Sequence, residues 1–271
     1  MAAFALPALH CAAGGQPLVM TSSLKTRNPT GLTGAASDRT APAGEAIPAA
    51  LAAHAAIVRT RRGQTISLTL EGNEALFIVQ SGALMVDVTL PEDLRQVVGL
   101  LYPGDVLRSD FAPPHAAAHL SAVSAGEVLR LRWSNFLALA ADDPELGRFF
   151  DDAAARQTAR RSIHMAAVGR FDCQQRVATF LLELALRTGV AAPCGGIEFE
   201  MPLSRTDMAD YLGLNADTLS RTMSRLRASG LLSHPDRRRA LIRDFEALAA
   251  RTPAAKSLMA LYGDTRAGRS R

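Results

Sequence analysis

The stretch MPLSRTDMADYLGLNADTLSRTMSRLRASGLLSH, residues 201–234, decides how this chain folds. Ser204 and Asp207 make an S-x-x-D start signal, in which side-chain oxygens three residues apart satisfy the free amides of a first helical turn. Met208, Ala209 and Leu212 then give a short first helix its buried stripe, and Gly213 allows a tight turn. Asn215 is placed to cap a second helix running to Ser229, whose Leu219, Met223 and Leu226 share one apolar face. The opposite face carries Asp217, Ser220, Arg221, Ser224 and Arg225, with Thr218 beside them near the helix start. Two short helices joined by a glycine-containing turn, the second displaying arginines and hydroxyls, form the arrangement that enters a DNA major groove.

The chemistry of that face fits base edges. Arginine donates two hydrogen bonds to guanine O6 and N7, an acidic group accepts from cytosine N4, and Ser or Thr reaches bases or phosphates. The competing reading is plainer: Asp217 complements the helix dipole and the arginines form a solvated face. Immediately downstream, LLSHPDRRRALIRD (231–244) reads as a hairpin wing, with Arg237, Arg238 and Arg239 at its tip. Such a cluster meets phosphates, as Arg205 would at the start of the first helix, and gives salt-dependent affinity without sequence preference. Basic residues therefore concentrate here, Arg205, Arg221, Arg225, Arg227, Arg237, Arg238, Arg239 and Arg243 against Asp207, Asp210, Asp217 and Asp236.

Upstream, the grammar changes. Residues 1–45 are rich in Ala, Gly, Pro, Ser and Thr without a period, the composition of a tail that cannot bury enough apolar surface to order itself. IPAALAAHAAIV (47–58) suggests a short helix. From Gln64 to Trp133, short β segments (TISLTL, ALFIVQ, ALMVDVTL, RQVVGLLY, HLSAVS, EVLRLR) alternate with turns at Gly72, Gly82, Gly104 and Gly126, where positive φ is expected, and predict a compact antiparallel barrel or sandwich. Ser134 is the expected N-cap of the next helix, and Pro144 suits the first turn of a long one reaching Val168. On it Leu146, Phe149, Phe150, Ala153, Gln157, His164 and Val168 form a stripe that would either pair with a second copy of the chain or lie on its own β-domain. Val177, Phe180, Leu181, Leu184 and Ala185, ending at Gly189, open a second, helical domain.

A chain of 271 residues holds more than one core. Its formal charge of +4 permits a polyanionic partner. The three cysteines, Cys11, Cys173 and Cys194, form neither a disulfide framework nor a CxxC metal pair and fit a reducing cytoplasm. No run reaches the roughly 20 apolar residues of a membrane span. The small, apolar opening lacks the basic start of an export signal. No catalytic constellation is present, so a non-enzyme is expected.

DYLGLNADTLSRTMSRLRASGLL, with GRFDCQQRVATFLLELA before it and EGNEALFIVQSGALMV and YPGD in the β region, resembles the family of bacterial regulators that includes the cyclic-AMP receptor protein and the fumarate and nitrate reduction regulator. The resemblance spans about 47–250 and implies an α+β chain: an N-terminal antiparallel β-roll like that of cyclic-nucleotide-binding domains, a long dimerisation helix and a C-terminal winged helix-turn-helix. The expected division is a tail at 1–45, a β-roll at 46–143, the dimerisation helix at 144–168, the winged helix-turn-helix at 169–252 and a tail at 253–271. It further implies a homodimer on a palindromic DNA operator, with RNA polymerase as a further partner if the protein activates. The oxygen-regulator branch carries Glu, Ser and Arg where this chain has Asp217, Ser220 and Arg221, and reads TTGA-like half-sites; the shorter Asp217 puts the preference at its position in question. After YPGD, the sequence VLRSDFAPPHAAAHLSAV lacks the phosphate cassette of the nucleotide-binding members, and three cysteines are too few for an iron–sulfur cluster, so no cofactor is expected. His115 and His119 have a spacing that could serve a metal, which would allow a metal-dependent β-barrel enzyme, but no third ligand accompanies them; the other alternative is a ligand- or metal-binding β-roll sensor in which DNA binding is secondary. Cys173, expected just before a helix, could be redox-sensitive or simply a small structural residue.

Overall fold

The computed structural model describes residues 46–70, 73–91, 94–111, 115–234 and 238–262. A short helix α1 (Ala49–His54) ends at extended Ala55, and β1 (Ala56–Thr60) follows, so the apolar run expected as one helix divides between helix and strand. The β-roll continues through β2 (Thr65–Ile66), β3 (Thr69–Leu70), β4 (Asn73–Ser81), β5 (Leu84–Leu90), β6 (Leu94–Leu101), β7 (Val106–Arg108), β8 (Ala117–Ala122) and β9 (Gly126–Arg132). One antiparallel sheet has the order β1-β9-β4-β3 with β7 also on β4; the other runs β2-β8-β5-β6.

The sequence of β4 explains how the roll is layered. Ala75, Phe77 and Val79 point into the core between the sheets, packing with Leu84, Val86, Leu101 and Leu120. Leu76 and Ile78 point the other way, onto helices, with Leu129 and Leu131 of β9. A strand buried on both faces reads as a continuous apolar run rather than an alternating one, as ALFIVQ does. Gly82 and Gly104 have positive φ as expected, whereas Gly126 does not. Gly126 is required for another reason: a Cβ there would stand 2.1 Å from the Ser81 carbonyl oxygen. Gly72 lies outside the described residues.

Helix α2 (Trp133–Asp142) begins two residues earlier than expected, after Arg132, so Ser134 is inside the helix and caps nothing. Helix α3 (Pro144–Arg170) has Asp143 as its N-cap, with Pro144 in the first turn. Its stripe lies on its own chain. Leu146, Phe149 and Ala153 join the outer core of the first sheet, Gln157 bonds to Val106 of β7, and His164 stacks on Tyr211 at 4.0 Å. Those residues are therefore not a dimer seam. The exposed side of α3 carries Asp151, Ala155, Thr158, Ser162 and Met165 instead.

The C-terminal half comprises α4 (Cys173–Thr188), β10 (Val190–Ala191), β11 (Ile197–Glu200), α5 (Arg205–Leu212), α6 (Ala216–Ala228), β12 (Leu232–Ser233), β13 (Arg239–Ile242), α7 (Phe245–Ala249) and α8 (Ala255–Tyr262). Its small sheet has the order β10-β11-β13-β12. The segment beyond 252 is no tail over its first ten residues: α8 buries Ala255 and Leu258 and packs on α3 and α4. The core of this half continues into the β-roll through Met85, Val97, Leu100 and Tyr102. Among the described residues no helix is long and apolar enough to cross a membrane.

Candidate nucleic-acid interface

Local capping sets the two helices of the reader. The Ser204 hydroxyl accepts from the Asp207 amide at 3.0 Å, starting α5, and the Asn215 side chain accepts from the Thr218 amide at 2.7 Å, starting α6. Between them Gly213 adopts φ 61°, a left-handed conformation that costs a glycine nothing. Leu219, Met223 and Leu226 are buried against α4 and the rest of the core. That anchorage leaves Asp217, Ser220, Arg221, Ser224 and Arg225 exposed on the outer face, with Thr218 half-buried at the edge.

Neither the Arg221 nor the Arg225 guanidinium has a hydrogen-bond or ion-pair partner among the described residues, so both are available to an external acceptor. Ser224 accepts from Arg227 at 2.9 Å. Arg205, the first residue of α5, is exposed. His234, where the wing begins, has its pKa lowered by burial, and the nearby charges of Arg205 and Arg227 lower it further. Positive charge from both helices thus converges beside the wing. Arg238 is exposed. Arg239 belongs to strand β13 rather than to the tip, and its guanidinium donates to Glu198 on β11 at 2.9 Å. Arg237 lies outside the described residues.

A residue that the sequence reading passed over fixes the turn. From the first turn of α4, the Arg176 guanidinium donates to the carbonyls of Phe171 (2.9 Å), Leu212 (3.2 Å) and Gly213 (3.1 Å). It ties the end of α3 to the turn between α5 and α6. Those carbonyls lie at helix ends, where intrahelical partners run out, so a planar multiple donor fits them well. Nothing in the local sequence pattern marks such a role, because its acceptors are backbone atoms up to 37 residues away.

The reader is also joined to the β-roll by buried charge. Asp105, in the turn before β7, accepts from Arg160 of α3 at 2.9 Å and from Arg187 of α4 at 2.8 Å, and Glu183 of α4 lies 3.8 Å from Arg160. Burial pushes the Glu183 carboxyl up to about 7, against the opposing pull of Arg160. Burial, reinforced by the Arg160 charge, pushes His164 down to about 4.

The other candidate sites look different. His119 is on β8 with Nδ1 3.3 Å from the Asp87 carboxylate, while His115 sits in the preceding turn at φ 63°. Among the described residues no group of three or more His, Cys, Asp or Glu side chains is gathered where a metal could be held. Cys173 is the first residue of α4 rather than preceding it, and Asp172 caps that helix.

Comparison with known proteins agrees with this geometry. Residues 175–251 match the Crp-like helix-turn-helix domain. The nitrogen fixation regulation protein FixK of Azorhizobium caulinodans is 33% identical over 175 residues, covering 65% of this chain and 70% of that protein. The transcriptional activator protein FnrL of Cereibacter sphaeroides is 26% identical over 191 residues, covering 69% of this chain and 76% of that protein. The solved structure of FixK2 from Bradyrhizobium japonicum superimposes with a TM-score of 0.62 at 29% identity, over 74% of this chain and 98% of that one. With its β-roll, its long helix and its Crp-type reader, this chain belongs to the Crp/Fnr family of DNA-binding transcriptional regulators.

Proposed function

We propose that the protein acts in the cytoplasm as a homodimer on a palindromic operator, each copy laying α6 in a major groove. The observation that carries this reading is the two-sidedness of α6. One face is locked into the core by Leu219, Met223 and Leu226, and the other presents Arg221 and Arg225 without partners among the described residues. Arg221 reads a guanine, Asp217 and Ser220 set the adjoining preference, and Thr218, Ser224 and Arg225 complete the groove contacts. Arg205, Arg237 and Arg238 anchor phosphates; Arg239 contributes there less directly because Glu198 engages it. Two-fold symmetry would come from the exposed side of α3, where small residues flank Met165, which is 72% exposed. If the protein activates, RNA polymerase is its further partner, and it performs no catalysis itself. The test is selection of random duplex DNA by the purified full chain at moderate salt. A two-fold symmetric motif with half-sites about one helical turn apart is expected; an unselected pool would sink the reading.

A second reading, in which the β-roll senses a small molecule, is favoured by a cleft of about 390 Å³ lined by Val86, Val88, Leu90, Val98 and Phe111, with Arg160 and Arg161 together at one wall. Its apolar strands and single basic wall suit a small carboxylate with an apolar body. If such acids change the affinity for the selected duplex, sensing is established; if a panel of them leaves it unchanged, the regulator is constitutive.

A further inference from the structure

We propose that Arg95, on β6 of the β-roll, is a positioning residue for DNA reading, which grips the first helix of the reader through Asp207 and Asp210 and keeps their carboxylates from opposing phosphates. The inference rests on α6 being the DNA-reading helix. The Arg95 guanidinium is a three-way fork: Nε lies 3.3 Å from Asp87, Nη2 3.2 Å from Asp207 and Nη1 2.9 Å from Asp210. Asp87, on β5, is only 5% exposed and holds the fork from behind. Beside it the Gln96 side-chain amide donates to the Asp210 carbonyl. Arg62, also in the β-roll, donates to the Pro202 carbonyl just before α5, at 3.1 Å.

These contacts converge on the one helix whose orientation sets that of α6 through the Gly213 turn. They also carry a charge argument. Arg205 begins α5 and faces outward, while Asp207 and Asp210 lie on the same helix within two turns. Without Arg95, two uncompensated carboxylates would stand beside the phosphate anchor, well inside the distance over which salt screens exposed charges, about 8 Å under physiological conditions. Partly exposed ion pairs contribute little to stability by themselves, so the use of this fork is geometric and electrostatic rather than a matter of holding the chain folded. The grip is not an inhibitory latch. With it closed, Asp217, Ser220, Arg221, Ser224 and Arg225 are all exposed.

The test uses the full chain and two probes, a duplex selected by the unaltered protein and a scrambled duplex of equal length. Arg95→Ala is expected to weaken binding to the selected duplex about ten-fold, within the usual range for coupling between sites. It should also broaden tolerance for half-site spacing by a base pair either way. The salt slope should fall by less than the roughly 0.9 of a lost phosphate contact, since Arg95 acts on the two carboxylates and does not itself meet a phosphate. In an Asp207→Asn, Asp210→Asn background the same substitution should cost little, because its partners are gone. Arg95→Lys, which keeps the charge but not the fork, should fall between, and thermal melting of each variant confirms folding. Unchanged affinity and spacing in folded Arg95→Ala, a salt slope lowered by the full amount of about 0.9 for a lost phosphate contact, or tighter binding would each overturn the proposal. If the unaltered protein selects no motif, it is the DNA-reading assignment of α6 that fails.

Discussion

The resemblance to the oxygen-regulator branch implies a Glu where this chain has Asp217, and on the proposed reading one methylene is enough to matter at a base edge. Asp217→Glu is expected to change the preference at a single position of each half-site and leave the rest of the motif intact, as sequencing of selected pools would show. A motif altered throughout would mean that Asp217 sets the helix start instead of reading a base. Arg239 offers a contrast at the same scale. Because its guanidinium is 2.9 Å from Glu198, Arg239→Ala should lower the salt slope by less than the roughly 0.9 of a full phosphate contact. A full-sized change would show that DNA draws Arg239 away from its carboxylate. The residues of α6 were legible in the sequence because caps, apolar period and polar face are encoded within a dozen neighbours. Arg95 and Arg176 were not, since their partners stand 112 and 115 residues away for Arg95 and up to 37 for Arg176.

At the scale of elements, the stripe on α3 reads from sequence either as a seam with a second copy or as a helix lying on its own chain, and Leu146, Phe149, Ala153 and Gln157 take the second course. Gln157, a polar residue in that apolar stripe, works as an adaptor between a helix and a sheet. Its side-chain oxygen accepts from the Val106 amide at 3.0 Å, and its nitrogen donates to the Val106 carbonyl at 2.9 Å. Gln157→Leu would strengthen a coiled-coil pattern yet leave both buried backbone groups unpaired, at a cost of about 1–3 kcal/mol each. Denaturant unfolding should therefore show destabilisation, whereas a gain in stability would mean that the polar contact is replaceable by packing. The same logic explains α8. Its short sequence AKSLMALY has no strong cap and reads as a tail in isolation, but Leu258 is fully buried among α4 and its neighbours.

For the whole molecule, the important feature is that roll, long helix and reader meet at ionisable groups removed from water. Glu183 has its folded pKa raised from 4.5 to about 7, so its contribution to stability is complete below about pH 4.5 and is lost as pH rises through about 7. Asp105 is pushed the same way by burial. His164 is lowered from 6.5 to about 4, so its contribution is present above about pH 6.5 and is lost as pH falls through about 4. Between those limits the two slopes oppose each other. Glu183→Gln should flatten the decline toward neutral pH, and His164→Phe, which preserves stacking on Tyr211, should flatten the decline toward acid. Denaturation midpoints across pH 4 to 8 would reveal both, and variants that follow the parent at every pH would show that these groups do not govern the junction. The sequence disclosed the order of the three parts, but not that their contact is charged, because a lone Asp, Arg or Glu in a helix or turn reads as surface until its partners are folded onto it.

The most direct measurement of the central claim compares Arg221→Ala and Arg238→Ala with the unaltered protein, on a selected duplex and a scrambled one across a range of salt. Loss of Arg221 should cost about 1–3 kcal/mol of discrimination per half-site while barely altering affinity for scrambled DNA. Loss of Arg238 should weaken both duplexes alike and flatten the salt slope. If Arg221→Ala discriminates between the two duplexes as well as the parent does, α6 does not read the operator, and the account of this face is wrong.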